Sequence, residues 1–283
     1  MKKTKIAILC HKRTPENEMI YEKLKNNNYA VSFLDPLEMI SGLNNNYNNY
    51  NIILSRVERD YLKEGIYALK YLETIPNIKI INNSDSIETC QNKYLTYLKL
   101  KEVMPKSFLT YANDFKNVEN ELKANNFNFP VVVKPIYGGY GNGVLKVNNL
   151  GELNNIFELL KNNGNELFVQ ELLDFKHDIR AFVINNKIIC AMERIPSNND
   201  WRANYSRGAK IKEFKLNKDT EKLILNSVKK IGANIVGVDV LIDKNNKPYI
   251  LEMNITPQFR GIMNFADVPG EILKYLADIL NKK

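Results

Sequence analysis

Two acids and an amide near the C-terminus lie on segments that read as paired strands. In Val236-Gly-Val-Asp-Val-Leu-Ile-Asp243, strand alternation puts Val236, Val238, Val240 and Ile242 on one face and Asp239 on the other. In Tyr249-Ile-Leu-Glu-Met-Asn254, Ile250, Glu252 and Asn254 share a face. A two-residue turn at Asn245-Asn246 then sets Asp239 directly opposite Glu252, with Asn254 diagonally near. Carboxylates so placed repel one another across the ladder, and a bound cation removes the repulsion. Hard oxygen donors of this kind suit Mg²⁺ or Mn²⁺, completed by phosphate oxygens and water. The plainer alternative is an exposed sheet face carrying ordinary acids.

A second set lies at Phe129-Pro-Val-Val-Val-Lys-Pro-Ile-Tyr-Gly-Gly-Tyr-Gly-Asn-Gly143. An apolar strand delivers Lys134, and a loop with Gly138, Gly139, Gly141 and Gly143 follows at once. Lysine is a compact cation for phosphate oxygens, and glycines let backbone N–H groups approach them closely. No Gly-Lys-Ser/Thr closes the loop, so it is not a Walker A motif. By itself it also reads as a flexible turn, and the position of Lys134 points to phosphate.

The third set is Gln170-Glu-Leu-Leu173, then Asp178-Ile-Arg180, Glu193-Arg194 and Trp201-Arg-Ala-Asn-Tyr-Ser-Arg-Gly208. Asp178 and Arg180 share a strand face and are placed to pair with each other. Four arginines in this stretch (Arg180, Arg194, Arg202 and Arg207) suit phosphate and carboxylate groups.

The elements that must position these residues follow from periodicity. Over the first eighty residues, apolar runs at 5–10, 30–34, 51–55 and 78–81 alternate with helices at 16–26 and 61–73, the pattern of a parallel sheet covered by helices. Ser84 is read as the cap of one helix that carries Ile87, Tyr94, Leu95 and Leu98 and ends before Pro105. Strands at 107–111, 129–135 and 143–147 with helices at 114–124 and 150–162 form an α+β unit. Strands at 167–172, 178–185, 187–195, 209–215, 236–243 and 248–254 come next, with helices at 218–231 and 270–281. Asn185-Asn186 reads as a tight hairpin turn, because asparagine tolerates positive φ. Three consecutive parts result: 1–83, 84–165 and 166–283.

Composition bounds the function. Hydrophobic residues at 44% and charged residues at 25% describe a globular protein with real cores. No apolar run reaches the roughly 20 residues that a membrane span needs. The apolar stretch after the basic N-terminus is too short for an export signal, so the expected location is cytoplasmic. Cys10, Cys90 and Cys190 lie far apart, which excludes a disulfide framework or zinc cluster. Lys plus Arg exceed Asp plus Glu by 40 to 32, but the lysines are scattered. That argues for a polyanionic small molecule such as a nucleotide rather than nucleic acid.

Taken in order, Lys93, the Val-Val-Val-Lys-Pro strand and its glycine loop, Gln-Glu-Leu-Leu, Asp-Ile-Arg, Trp-Arg-Ala-Asn…Arg-Gly, Gly-Val-Asp and Leu-Glu-Met-Asn resemble the ATP-grasp ligases. The resemblance is to the RimK-like branch, covers nearly the whole chain, and is specific as an ordered set although each motif is weak. It implies an ATP-grasp fold, α/β and α+β, with an N-terminal parallel α/β domain before it. It also implies that Lys93, Lys134, Gly138, Gly139 and Gly141 contact ATP phosphates. Gln170, Glu171, Leu172 and Leu173 fall at nucleotide-binding positions, the last three lining the adenine pocket. Asp178 matches a ribose-side acid, and Arg202-Ala203-Asn204 a nucleotide-binding segment. Asp239, Glu252 and Asn254 match the ligands of Mg²⁺ or Mn²⁺, two ions being implied. Arg180, Arg194 and Arg207 are the expected catalytic cations.

Family members make an acyl phosphate from a carboxylate and ATP, which an amine then attacks. The expected partners are ATP, L-glutamate or another amino acid, and a carboxylate acceptor on a small cofactor or peptide. Ribosomal-protein and carrier-protein ligases belong to the same class. No membrane is expected, and a homo-oligomer is left open. A non-catalytic ATP-binding scaffold is the reading from another class, against which the intact ligand set argues. After Glu-Met-Asn the family often has a small residue, Pro and Gly. Here Ile255-Thr-Pro-Gln-Phe-Arg260 stands instead, so Gln258, Phe259 and Arg260 are expected to reset specificity.

Overall fold

The computed structural model describes residues 3–42, 47–139, 141–195 and 210–281. Strands β1 (Lys5–Leu9), β2 (Ala30–Leu34), β3 (Ile52–Ser55) and β4 (Lys79–Ile81) form a parallel sheet in the order β2-β1-β3-β4, with helices α1 (Pro15–Asn26) and α2 (Leu62–Glu73) as crossovers. Its central strand is a continuous aliphatic run because both faces are covered. Ile6 and Ile8 pack in one core with Ile20 and Leu24 of α1, whereas Ala7 and Leu9 pack in another with Leu69 and Leu72 of α2.

The single helix expected from Ser84 is two helices, α3 (Ser84–Gln91) and α4 (Lys93–Leu100). Asn83, not Ser84, caps α3 by accepting from Ser86 N at 2.9 Å. Asn92 is extended (φ −104°, ψ 112°), and its Oδ1 accepts from Tyr94 N at 2.9 Å and Leu95 N at 3.1 Å. An asparagine that leaves the helical region and caps the first turn after it both ends one helix and starts another. The break makes Lys93 the first residue of α4, and its N–H donates to Ile136 O at 2.9 Å.

The second sheet is antiparallel, order β5-β8-β6-β7, from β5 (Ser107–Thr110), β6 (Val131–Val133), β7 (Leu145–Val147) and β8 (Leu167–Glu171). Helices α5 (Phe115–Ala124) and α6 (Leu150–Asn162) cover it through Val118, Leu122, Leu153 and Phe157. Strand β8 lies beyond the division drawn at residue 165, yet it pairs with β5 and β6. The second sheet therefore runs to Glu171.

The third sheet, order β11-β10-β9-β12-β13, contains β9 (Phe175–Ile184), β10 (Lys187–Ile195), β11 (Lys210–Glu213), β12 (Ile235–Asp243) and β13 (Pro248–Asn254). Asn185 and Asn186 make the β9–β10 turn at φ 50° and 56°, as their type predicts. Ile179, Ala181, Val183, Val236, Val238 and Val240 face Ile224 and Val228 of α7 (Lys218–Ile231). The alternate residues divide the other face. Phe182, Ile184 and Ile235 pack toward α8 (Val268–Asn281), while Asp178, Arg180, Arg194 and Asp239 form a polar patch. No described helix is long and apolar enough to cross a membrane.

Removing the cap that starts α4 tests how firmly Lys93 is placed. Asn92→Ala is expected to lower the unfolding free energy by about 1 kcal/mol in denaturant titration. An unchanged midpoint and slope would show that the cap contributes nothing.

Candidate active site

The β12–β13 hairpin sets Asp239 opposite Glu252 and Gly237 opposite Asn254, as the sequence indicates, but not by the expected turn. Asp243 N donates to Lys247 O at 3.0 Å, so the loop is the three residues Lys244, Asn245 and Asn246, with Asn246 at φ 63°. From that loop Val240 pairs with Ile250 and Leu241 with Tyr249. The register then shifts between Val240 and Asp239, which leaves Leu251 without an opposite number. This β-bulge corrects the register by one residue. It also breaks the expected face: Ile250 and Met253 both lie in the core at 0% and 1% exposure, whereas Glu252 and Asn254 are half-buried. Without the bulge, alternation from Ile250 would put Glu252 on the core side.

Asp239 is held by two arginines from neighbouring strands. Arg180 on β9 donates Nε to Oδ1 at 2.7 Å and Nη2 to Oδ2 at 2.8 Å, a bidentate pair. Arg194 on β10 donates Nη1 to Oδ2 at 3.1 Å, and its Nε and Nη2 donate to Asp178 Oδ1. Asp178 and Arg180, which could simply have paired with each other, do not: Asp239 on β12 takes Arg180, and the register of β9 with β10 hands Asp178 to Arg194. Burial pushes Asp239 up, but Arg180 and Arg194 outweigh it and bring the carboxyl down to about 2. Burial is also the largest influence on Asp178, and a single shared arginine, opposed by the charge of Asp239, leaves it raised to about 6. Burial lowers Arg194, but the two aspartates hold it well above the ordinary arginine value.

On the other side of the hairpin stand the two lysines. Lys93 Nζ donates to Gly138 O at 2.7 Å and lies 3.4 Å from Glu252 Oε1. Lys134 leaves the end of β6 and donates Nζ to Gln170 Oε1 at 2.7 Å, with Gln170 Nε2 held by Ser107 Oγ at 2.9 Å. Both ends of the Gln170 amide are thus taken. In this arrangement it supports Lys134 from behind. Burial first, then the neighbouring Lys93, brings the Lys134 ammonium down to about 7, opposed by Glu252. Two buried cations that raise each other's cost of charge favour a polyanion as partner. In the glycine loop, Gly141 and Gly143 adopt φ 71°, a conformation that favours glycine. A Cβ on Gly139 would stand 2.8 Å from Arg59 Nη1.

Glu171 ends β8, receives Lys106 N at 3.4 Å and lies 3.8 Å from Lys106 Nζ. Leu172 and Leu173 are half-buried residues in the connection from the second sheet to the third. Arg202, Ala203, Asn204 and Arg207 lie outside the described residues. In the segment after the hairpin, Phe259 is fully buried, edge-on to Phe182 at 6.2 Å. Arg260 Nε is 3.0 Å from Glu16 Oε1. Phe259 therefore serves the core rather than a substrate pocket, and Arg260 already has a carboxylate partner in the chain. Sequence reasoning missed Ser107 and Arg56. Arg56 is buried, donates Nε to Asn17 Oδ1 at 2.8 Å and caps Pro257 O at 3.2 and 3.3 Å. A lone arginine directly after a buried parallel strand was the available signal.

Among the described residues no group of three or more His, Cys, Asp or Glu is placed to hold a metal ion. The candidate set is two carboxylates and an amide. Asn254 Nδ2 is buried with no hydrogen-bond partner among the described residues. The Asn254 amide oxygen adds a third hard oxygen donor to the two carboxylates on the same hairpin. The residues therefore fit a divalent cation whose shell phosphate oxygens and water complete.

Comparison with solved structures gives the fold. The ATP-grasp ligase PsnB, in complex with a phosphomimetic variant of its minimal precursor, Mg and ADP, superposes with a TM-score of 0.75 at 17% identity, covering 98% of each chain. The chain belongs to the RimK-like ATP-grasp family, whose model matches residues 91–276, and it is an ATP-dependent carboxylate–amine ligase by that membership. Among its relatives, the glutamate–LysW ligase ArgX of Sulfolobus acidocaldarius is 27% identical over 96% of this chain and 98% of its own. The tetrahydromethanopterin:alpha-L-glutamate ligase of Methanocaldococcus jannaschii is 31% identical over 71% of this chain and 69% of its own. The family uses ATP with Mg²⁺ or Mn²⁺.

A polyphosphate beside Lys134 favours its charged form, so nucleotide binding above pH 7 must take up a proton. Calorimetry of ADP binding at pH 8, in two buffers of different ionisation heat, is expected to show uptake approaching about one proton. Lys134→Met should abolish the uptake; equal uptake in the variant would remove Lys134 from the phosphate site.

Proposed function

We propose that this ligase joins L-glutamate to a carboxylate on a small cofactor or peptide, with ATP and two Mg²⁺ or Mn²⁺ ions at Asp239, Glu252 and Asn254. The observation that carries the reading is the hairpin itself. Two carboxylates and an amide, whose Nδ2 has no hydrogen-bond partner among the described residues, stand between an arginine pair and a lysine pair. Lys93, Lys134 and the backbone of Gly138, Gly139 and Gly141 hold the triphosphate, and Glu171, Leu172 and Leu173 border the adenine. Asp178 takes the ribose side, with Arg202, Ala203 and Asn204 completing the nucleotide contacts. The chain is read as three parts: the parallel sheet to residue 83, a nucleotide-covering part that reaches Glu171, and the hairpin-bearing remainder.

Asp239, Glu252 and Asn254 would hold the divalent cations, and these would supply charge neutralisation of the phosphate oxygens. The acceptor carboxylate attacks the terminal phosphorus of ATP, the bond to the ADP oxygen breaks, and an acyl phosphate forms. The glutamate amine, its ammonium proton given to solvent, then attacks the acyl carbon; inorganic phosphate leaves with the bonding pair and takes up the proton shed by the new amide nitrogen. Arg180, 19% exposed at its side chain against 3% for Arg194, has a face open to the developing charge. Arg194 orients Asp239 and Asp178 from behind, and Arg207 is the third cation of the set.

A second reading, with a protein as the acceptor, is supported by the whole-length match to the LysW ligase and by the net charge of +8. Phosphate release is to be measured with ATP, Mg²⁺, L-glutamate and each acceptor class in turn, with product masses read for one added glutamate. A small cofactor or peptide should turn over. Turnover on a protein alone favours the second reading, and ATP binding with no turnover on any acceptor overturns both. Glu252→Gln is expected to lower turnover about 100-fold or more in a folded protein. Near-normal activity would remove Glu252 from the metal site.

A further inference from the structure

The end of the hairpin remote from its turn is closed by a residue from the N-terminal sheet. Asn82 comes directly after β4 and is 1% exposed. Its Oδ1 accepts from Asn234 N at 2.6 Å and Ile235 N at 3.0 Å. Its Nδ2 donates to Ile235 O at 2.9 Å and Ile255 O at 3.3 Å. All of these partners are backbone groups of fixed polarity, so the amide has one orientation and its bonding capacity is filled. Ser55 Oγ holds the Asn82 carbonyl from the other side at 2.6 Å.

Ile235 opens β12, and Ile255 is the residue next to Asn254. Asn82 therefore spans the two strands where their ladder ends, next to the Gly237–Asn254 pair. The next residues are fastened to the same sheet: Thr256 Oγ1 donates to Val57 O at 2.9 Å, and Pro257 O accepts from Arg56. Asn254 ends β13 directly before Ile255, so whatever fixes the backbone of Ile255 also places Asn254. We propose that Asn82 is a positioning residue for the metal site, holding Asn254 at coordinating distance from across the boundary between two sheets. This rests on the assignment of Asp239, Glu252 and Asn254 as ligands.

The test reads metal binding directly, by electron paramagnetic resonance of Mn²⁺ titrated into the full-length protein with saturating ADP. Asn82→Ala removes all four bonds. Asn82→Asp has the same shape and keeps the two accepted bonds but loses the donation to Ile235 O and Ile255 O. Ser55→Ala deletes a neighbouring buried hydrogen bond without touching the hairpin. Both Asn82 variants are expected to weaken Mn²⁺ about tenfold, with ADP binding in the absence of metal unchanged. Ser55→Ala should lower the melting temperature but leave Mn²⁺ affinity at the wild-type value. If Asn82→Ala does not fold, Asn82→Asp carries the comparison. Wild-type Mn²⁺ affinity in a folded Asn82 variant, or equal weakening by Ser55→Ala, overturns the role of Asn82. Glu252→Gln separates the two levels: if it too leaves Mn²⁺ binding intact, the ligand assignment falls and this inference with it.

Discussion

Asp239 and Glu252 face each other across one hairpin, and like charges so placed need balancing from outside it. Much of the architecture around the hairpin supplies that balance. Arg180 and Arg194 arrive from β9 and β10 on one side, while Lys93 reaches Glu252 from α4 on the other. The charges are partly buried, so they interact strongly and cannot be left single. The result is a row with the arginines at one end, the two carboxylates between, and the lysines at the other end. A nucleotide phosphate chain and its cations add matching charges to such a row.

The row exists only because of two local irregularities. The bulge at Leu251 turns Glu252 and Asn254 onto the face of Asp239 while Ile250 and Met253 remain in the core. The helix break at Asn92 makes Lys93 the start of α4, where its N–H meets Ile136 O and its ammonium meets Gly138 O. Regular structure in either place would point these side chains elsewhere. Both interruptions fall beside the candidate site, where a departure from local regularity is expected.

The three sheets are not independent supports. Asn82, Arg56 and the carbonyl of Val57, all from the N-terminal unit, fasten Ile255, Pro257 and Thr256 in turn. The segment after Asn254 thereby becomes a joint between the parallel sheet and the β12–β13 hairpin. That joint occupies Phe259 and Arg260, which a linear reading leaves free for the substrate.

The sequence by itself determined the strand–helix order apart from the break at Asn92, the acid, lysine and arginine sets as candidates, and the opposition of Asp239 to Glu252. These depend on alternation and on ordered short motifs, which are local properties of the chain. Tertiary structure decided which arginine pairs with which aspartate, because β9, β10 and β12 become neighbours only in the folded sheet. It also decided that Gln170 stands behind Lys134 and that the second sheet extends to Glu171. The hairpin shows the difference most clearly. A two-residue turn and a three-residue turn with one bulge give the same opposition of Asp239 and Glu252, yet only the second leaves Ile250 in the core. Choosing between them needs the packing of Ile250 and Met253 against α7 and its neighbours, which no local pattern contains.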